Sequence, residues 1–427
     1  MTTEQLYELF LQYPSVETDT RKLKKGDLFF ALSGPNFNGN DFASEAIKRG
    51  AAYAIVDRQI ENSNGQILKV DNVLASLQQL AKHHREQFDI PFIAITGSNG
   101  KTTTKELVTA VLSSHYKTYT TQGNLNNHIG IPLTILRVGQ NAEIAVIEMG
   151  ANHQKEIQGY CLYAEPTHGI ITNCGKAHLE GFGGVEGVKK GKGELFDYLR
   201  AHNATAFIFD DYDYLHEMSA GISYLITYGT KSGMVVGKAM PSETFLKVEL
   251  AGERPSSAIQ TQLVGNYNLP NVLCAVAVGK HFSVPMEKII KSIEEYTPGN
   301  SRSQMEVRGT NHIILDAYNA NPSSMKVAIE NIANIKASKK VLMLGAMMEL
   351  GDESIEEHQS VVNLISQFTW KKVILVGGDF AKVNHPFTFF DTSNEAARWV
   401  RENGFDNSYI LIKGSRSIKM EKITEAL

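Results

Sequence analysis

The stretch that most constrains the fold is Thr96-Gly97-Ser98-Asn99-Gly100-Lys101-Thr102-Thr103. The run Phe92-Ile93-Ala94-Ile95 ahead of it is long enough for one buried strand, and Leu107, Val108, Val111 and Leu112 behind it recur at helical spacing over Lys105 to His115. Strand, glycine turn, lysine and helix together make a phosphate cradle. Backbone N–H groups and the positive helix end hold phosphate oxygens, Lys101 reaches the outer phosphates, and the Thr102 hydroxyl can ligate Mg²⁺. The usual P-loop spacing puts a glycine where this chain has Ile95, and Gly97 arrives two residues later. The strand-and-helix context carries the expectation in spite of that mismatch.

A chain of 427 residues predicts two or three domains. With 42% hydrophobic and 21% charged residues it has ample core material. A net charge of -4 argues against a nucleic-acid binder. Cys161, Cys174 and Cys274 are odd in number and lack paired metal spacing, so reduced thiols in a cytoplasmic protein are expected. There is no basic segment before an apolar run near the start, and no run approaches the roughly 20 residues of a membrane span, so neither a signal peptide nor membrane insertion is expected.

The alternation of apolar runs with helical stretches predicts an α/β protein of three domains. Residues 1–88 read as a small α/β unit with strands at Leu28-Leu32, Tyr53-Val56 and Ile67-Val70, and helices over Phe42 to Arg49 and Val73 to Arg85. Residues 89–297 read as the P-loop domain, a doubly wound and mostly parallel sheet. Its further strands are expected at Ile144-Ile147, His168-Thr172 and Ala206-Phe209, with an antiparallel appendix from Ile222 to Gly265 and helices at Leu269-His281 and Met286-Tyr296. Thr297-Pro298-Gly299-Asn300 is the best interior linker. Residues 298–427 read as a second doubly wound, Rossmann-like domain with strands at Ile313-Leu315, Val341-Leu344, Val373-Val376 and Tyr409-Ile412.

Ligands of doubly wound sheets gather at the carboxyl ends of the strands. Glu148 ends one such strand, and His178 sits in the glycine-rich run Gly175 to Gly183 after another. A lone histidine is more often structural, but with Thr102 these residues place three potential metal ligands at one sheet edge. Val188-Lys189-Lys190-Gly191-Lys192-Gly193-Glu194-Leu195 reads as a solvated basic helix start. Asp316 to Pro322, Leu344 to Gly351 and Ile412 to Arg416 are polar turns. Taken singly each is a strand-to-helix connection, and together they fit a domain that closes over substrate.

These runs resemble the Mur ligases. The resemblance spans the chain: Asp19-Thr20-Arg21, the P-loop form, Gly123-Asn124-Leu125-Asn126-Asn127, Glu148-Met149-Gly150-Ala151-Asn152-His153, Ala177 to Phe182, Asp316 to Pro322 and Lys413-Gly414-Ser415-Arg416. Folylpolyglutamate synthases share the P-loop form. The Asn-Leu-Asn-Asn, Met-Gly-Ala-Asn-His and Tyr-Asn-Ala-Asn-Pro runs resemble the branch that joins D-alanyl-D-alanine to UDP-N-acetylmuramoyl-tripeptide. The resemblance implies a UDP-sugar domain, an ATP domain and a closing domain, acting through an acyl phosphate. It implies ATP contacts from Gly97, Ser98, Asn99, Gly100, Lys101, Thr102, Thr103, Asn268, Asn271, Arg302 and Asp316. Substrate contacts are implied for Thr20, Arg21, Asn38, Gly39, Asn40, Asn126, Asn127, Asn152, His153, Tyr318, Asn319 and Asn321. Two Mg²⁺ sites are implied, one at Thr102 and one at Glu148 and His178, the latter helped by a carbamylated Lys192. Lys101, His178 and Lys192 are thus the expected catalytic group, and a monomer is the expected state. The chain departs from the family pattern at Tyr267, where many members have His, at Asn38-Gly39-Asn40 for Asp-Gly-His, and at His128 and Ala346 for acidic residues.

Overall fold

The computed structural model describes residues 1–60, 65–252, 258–299 and 301–427. Among them the strands form three principal sheets, of four, nine and six strands. Asn300, the last residue of the expected linker, lies outside the described residues.

The first sheet is parallel, in the order Val16–Glu17, Leu28–Phe30, Tyr53–Val56, Ile67–Lys69. Between Phe30 and Ala43 the chain makes a short hairpin, Ser33–Gly34 against Phe37–Asn38, and a 3₁₀ turn over Gly39–Phe42. A helix missing from the sequence reading, Thr3–Gln12, is capped at Thr2 by a reciprocal box with Gln5 and buries Leu6, Tyr7 and Phe10. The helix Val73–Arg85, as expected from its pattern, packs on Gly130–Ile135 and Glu156–Ala164 of the next unit. Arg85 fastens that junction. Its guanidinium donates to the carbonyls of Ala164, Phe88 and Glu165 and lies 4.0 Å from the centre of the Phe92 ring.

The nine-stranded sheet has the P-loop strand Phe92–Thr96 between His168–Ile171 and Ile144–Glu148, all parallel. These strands are buried on both faces, so they read as unbroken apolar runs. Thr205–Phe209 and Tyr224–Gly229 extend the sheet, and the expected antiparallel appendix is its far edge, where Phe245–Leu250 pairs with Val235–Met240 and Ala258–Val264. Helices Leu269–His281 and Lys101–Ser113 pack on each other. The latter begins four residues before the apolar pattern does, with Lys101 itself in the first turn.

The third sheet runs Gln304–Arg308, Asn311–Asp316, Tyr409–Lys413, Lys340–Gly345, Lys372–Val376, Thr388–Phe390, with the first strand antiparallel. Its carboxyl-terminal edge turns toward the P-loop. The expected α/β class and the mostly parallel sheets are observed. No helix among the described residues is long and apolar enough to cross a membrane.

Candidate active site

The P-loop is shaped by hydrogen bonds from the neighbouring strand exit. Asn173 accepts from Ser98 N–H through its carbonyl (2.9 Å) and from Asn99 N–H through Oδ1 (3.1 Å), while Thr172 Oγ1 donates to Asn99 O (2.6 Å). Gly97 has φ 141°, and a Cβ there would stand 2.0 Å from Thr172 Oγ1, so only glycine fits. Gly100 has φ 80° and opens the helix over Asn271, whose Oδ1 accepts from Thr104. Asn271 in turn donates to Asn268, and Asn268 to Val264 O. Both asparagines are buried behind the loop.

Lys101 curls onto its own loop, donating to Gly97 O (2.6 Å) and Ser98 O (3.2 Å). It keeps partial exposure, yet loss of water around the amine lowers its pKa from the ordinary 10.5 to about 8; Glu148 opposes the shift and Arg302 adds to it. Across from it, Glu148 is 1% exposed. Its Oε1 accepts from Asn126 Nδ2 (2.8 Å) and Thr102 Oγ1 (3.1 Å), and its Oε2 is buried with no hydrogen-bond partner. A buried carboxylate oxygen with nothing to satisfy it fits a cation ligand.

Lys192, read from charge alone as a solvated residue, lies on the inner face of helix Val185–Ala201 at 1% exposure. Its amine donates to Ala151 O (3.0 Å) and sits 4.8 Å from the centre of the Phe182 ring. Burial, reinforced by the charge of Lys101, holds its pKa well below the ordinary lysine value.

His178 has a left-handed backbone, φ 53°, and Nδ1 lies 2.5 Å from Glu349 Oε2, within ion-pair distance though without hydrogen-bond geometry at that nitrogen. Glu349 is also left-handed, φ 62°, and its carbonyl accepts from Glu180 N–H (3.3 Å). The neighbouring His178 ring holds the Glu349 carboxyl below its usual range.

The third sheet supplies the opposite wall. Asp316 and Lys413 end adjacent strands in register, and Lys413 Nζ donates to Asp316 Oδ2 (2.6 Å) and Asn319 O (3.2 Å). The Tyr318 ring carries Arg302 at 3.6 Å and Arg416 at 5.4 Å from its centre. Asn321 Nδ2 donates to Asn99 Oδ1 on the P-loop (2.8 Å), and Ser323 Oγ accepts from Lys176 N–H (2.9 Å). Lys176 Nζ and Glu357 pair at 2.5 Å.

Together these walls enclose a cavity of about 700 Å³ lined by Ser98 to Thr103, Asn126, Asn127, Glu148, Asn152, His178, Asn268, Asn271, Arg302, Asp316, Tyr318, Asn319 and Asn321. Lys413 and Tyr267 line it too, beyond the residues expected for the site. Lys192 lies behind the lining, and Gly97 shapes the loop from below. His153 does not line the cavity; it is exposed beside Glu156. Thr20 and Arg21 lie in a turn of the first unit, and Asn38, Gly39 and Asn40 in its short hairpin and 3₁₀ turn, all outside the cavity. Arg21 is exposed and pairs with Asp19 through both carboxylate oxygens (2.9 and 2.8 Å). Asn40 is buried, donating to Asp57 Oδ1 and Asn38 Oδ1. The Lys176–Glu357 and His178–Glu349 contacts between walls had no signal in the sequence, because each partner is ordinary in its own segment.

Three family models match the chain: Mur ligase family, catalytic domain, over residues 12–85; Mur ligase middle domain over 95–279; and Mur ligase, glutamate ligase domain, over 303–416. The UDP-N-acetylmuramoyl-tripeptide--D-alanyl-D-alanine ligase of Bacillus subtilis is 34% identical, over 96% of this chain and 92% of its own length. The ligase of the same name from Escherichia coli is 33% identical, over 97% of this chain and 93% of its own. Among solved structures, MurF from Acinetobacter baumannii superposes with a TM-score of 0.88 at 29% identity, covering 99% of this chain and 98% of that one. MurF ligase from Thermotoga maritima, in complex with ADP, does so with 0.87 at 26% identity and 97% of each chain. Sequence and fold agree along the whole length, and the chain belongs to the Mur ligase family.

Proposed function

We propose that this chain joins D-alanyl-D-alanine to UDP-N-acetylmuramoyl-tripeptide, cleaving ATP to ADP and phosphate. The observation that carries this is one cleft in which the phosphate loop, the unsatisfied Glu148 oxygen and the Asp316–Lys413 wall face each other. The names of the curated relatives supply the substrates.

In this scheme a tripeptide carboxylate oxygen attacks the γ-phosphorus, the bond to ADP breaks, and an acyl phosphate forms. The dipeptide amine then attacks the acyl carbon, the bond to the phosphate oxygen breaks, and the nitrogen gives up a proton. Gly97 to Thr103 hold the triphosphate, and Lys101 leaves its loop carbonyls to neutralise the transferring group. Asn268 and Asn271 sit on the nucleoside side; Arg302 and Asp316 reach ATP from the closing domain. Asn126, Asn127, Asn152, Tyr318, Asn319 and Asn321 orient the peptides, while Thr20, Arg21 and Asn38 to Asn40 hold the UDP end. Thr102 would hold one Mg²⁺, and Glu148, His178 and a carbamylated Lys192 the second. Those ions supply charge neutralisation at the phosphates. The division into 1–88, 89–297 and 298–427 assigns one substrate to each of the first two units and closure to the third. Closure excludes water from the acyl phosphate.

The test is phosphate release by the purified chain with ATP, the UDP-tripeptide and one amine at a time, including D-alanyl-D-alanine, single amino acids and glutamate. Release is expected with D-alanyl-D-alanine; a rate equal to the amine-free blank overturns the proposal.

A further inference from the structure

At the amino-terminal edge of the central sheet, opposite the P-loop, two imidazoles face each other. His168 opens the strand His168–Ile171, and His281 closes the helix Leu269–His281. Their Nε2 atoms are 3.2 Å apart. Phe207 and Phe282 pack against both rings, with centres 4.8 to 6.2 Å from those of the imidazoles, and hold them in place. Thr167 fixes the tautomer of His168. Its Oγ1 accepts from Phe92 N–H (3.0 Å) and donates to Phe92 O (3.3 Å), so the Nδ1 of His168, 2.8 Å away, donates to its remaining lone pair. The free lone pair of His168 is then on Nε2, toward His281. Burial, with the charge of His281 adding to it, lowers the pKa of His168 to about 4, and burial lowers that of His281 as well, so neutral rings prevail at pH 7.

We propose that His168 and His281 bind a zinc ion through their two Nε2 atoms. Bonds of about 2.0–2.1 Å to one tetrahedral ion set two nitrogens about 3.3 Å apart, close to the 3.2 Å observed. In the free protein the Nε2 proton of His281 occupies the gap. On binding it passes to Nδ1 of the same ring, which is exposed to water, and both ligands stay neutral. The carbonyl end of the helix adds negative potential beside His281. Imidazole suits zinc, whereas Mg²⁺ takes oxygen ligands, so this pair does not compete for the ions proposed at the P-loop. No third histidine, cysteine or carboxylate among the described residues completes the set, so water fills the remaining positions and the ion exchanges readily. The two elements joined here shape the phosphate loop at their other ends. Thr172 and Asn173 follow the strand, and Asn268 and Asn271 begin the helix. A bound ion therefore ties strand to helix beneath that loop.

The test measures Zn²⁺ held by the full chain in equilibrium dialysis with excess Mg²⁺, for the wild type, His168→Gln and His281→Gln. The wild type is expected to hold one equivalent that each variant binds at least about tenfold more weakly. Equal binding by all three chains overturns the assignment. His281 is exposed, so His281→Gln should melt with the wild type in Mg²⁺ alone, and added zinc should raise the melting temperature of the wild type only. A rise of the same size in both overturns it as well. In a zinc-soaked crystal the expected result is an anomalous peak about 2.0–2.1 Å from both Nε2 atoms, and zinc bound elsewhere with none between the two rings is the contrary one.

Discussion

Lys413 Nζ donates to Asp316 Oδ2 at 2.6 Å, and the two residues are register partners at the ends of adjacent parallel strands. Lys413 is 2% exposed, so its charge is carried almost wholly by Asp316 and by the Asn319 carbonyl. Asp316 Oδ1 also accepts from Ser303 N–H at 3.3 Å, so the pair ties the strand ends to the segment carrying Arg302.

Removing the cation leaves a partly buried carboxylate beside the cleft. Lys413→Met is expected to lower stability by about 2–3 kcal/mol, less than a fully buried pair because Asp316 keeps some solvent. Asp316→Asn/Lys413→Met should recover much of that loss in a thermal melt, yet stay inactive in phosphate release.

The closure proposed above would use a second ion pair. Lys176 of the central unit and Glu357 of the third unit meet at 2.5 Å, with Glu357 mostly buried and Lys176 half in water. Lys176→Glu should depress kcat about 5- to 10-fold by opposing closure, and Lys176→Glu/Glu357→Lys should restore most of it, a coupling of about 1 kcal/mol. A swap that is no better than the single variant would show that this contact plays no part in closure.

The Lys192 amine is poised for a different chemistry. Burial holds its pKa well below the ordinary lysine value, which favours the neutral amine that CO₂ requires; in the proposed site that amine would add to CO₂ with loss of a proton and become an anionic oxygen ligand. Lys192→Met should melt within about 2 °C of the wild type, since the unbranched lysine stem and methionine fill similar volumes. It should lose phosphate release by about 100-fold and regain part of it with added short carboxylic acids. Incubation of the wild type with ¹³CO₂ should give a carbamate signal that the variant lacks.

The strands that build the cleft were legible because parallel strands buried on both faces are continuous apolar runs, as in Ile144 to Ile147. Edge strands were not. Gln304–Arg308 alternates polar and apolar residues with only partial burial, so no run marks it. The start of the P-loop helix was placed four residues late because Lys101 to Thr104 carry no apolar stripe; their helical state comes from the loop and the bonds to Thr172 and Asn173. Lys192 was misread for a related reason. Charge predicts exposure one residue at a time, whereas its position opposite Ala151 and Phe182 depends on how helix Val185–Ala201 lies on the sheet. Glu148 was legible by its place at a strand end, but its unsatisfied Oε2 is visible only once Asn126 and Thr102 are seen to occupy Oε1.

In the proposed reaction Lys101 would set a pH limit on nucleotide use. Its pKa in the free enzyme is lowered to about 8, chiefly by burial. Between that value and the ordinary 10.5 the unfolded chain holds a proton on this lysine that the folded chain lacks. The sign is therefore that the lysine's contribution to stability rises with pH across that window and is least favourable below it. Binding runs the other way. The triphosphate needs the ammonium, so kcat/KM for ATP, which reports the free enzyme, should be level below about pH 8 and fall about tenfold per unit above it. Lys101→Arg keeps a cation throughout and should flatten the profile at a lower plateau, because a planar guanidinium fits the loop poorly. A wild-type profile that stays level to about pH 9.5 would show that the bound phosphates, not the loop, determine the charge of Lys101.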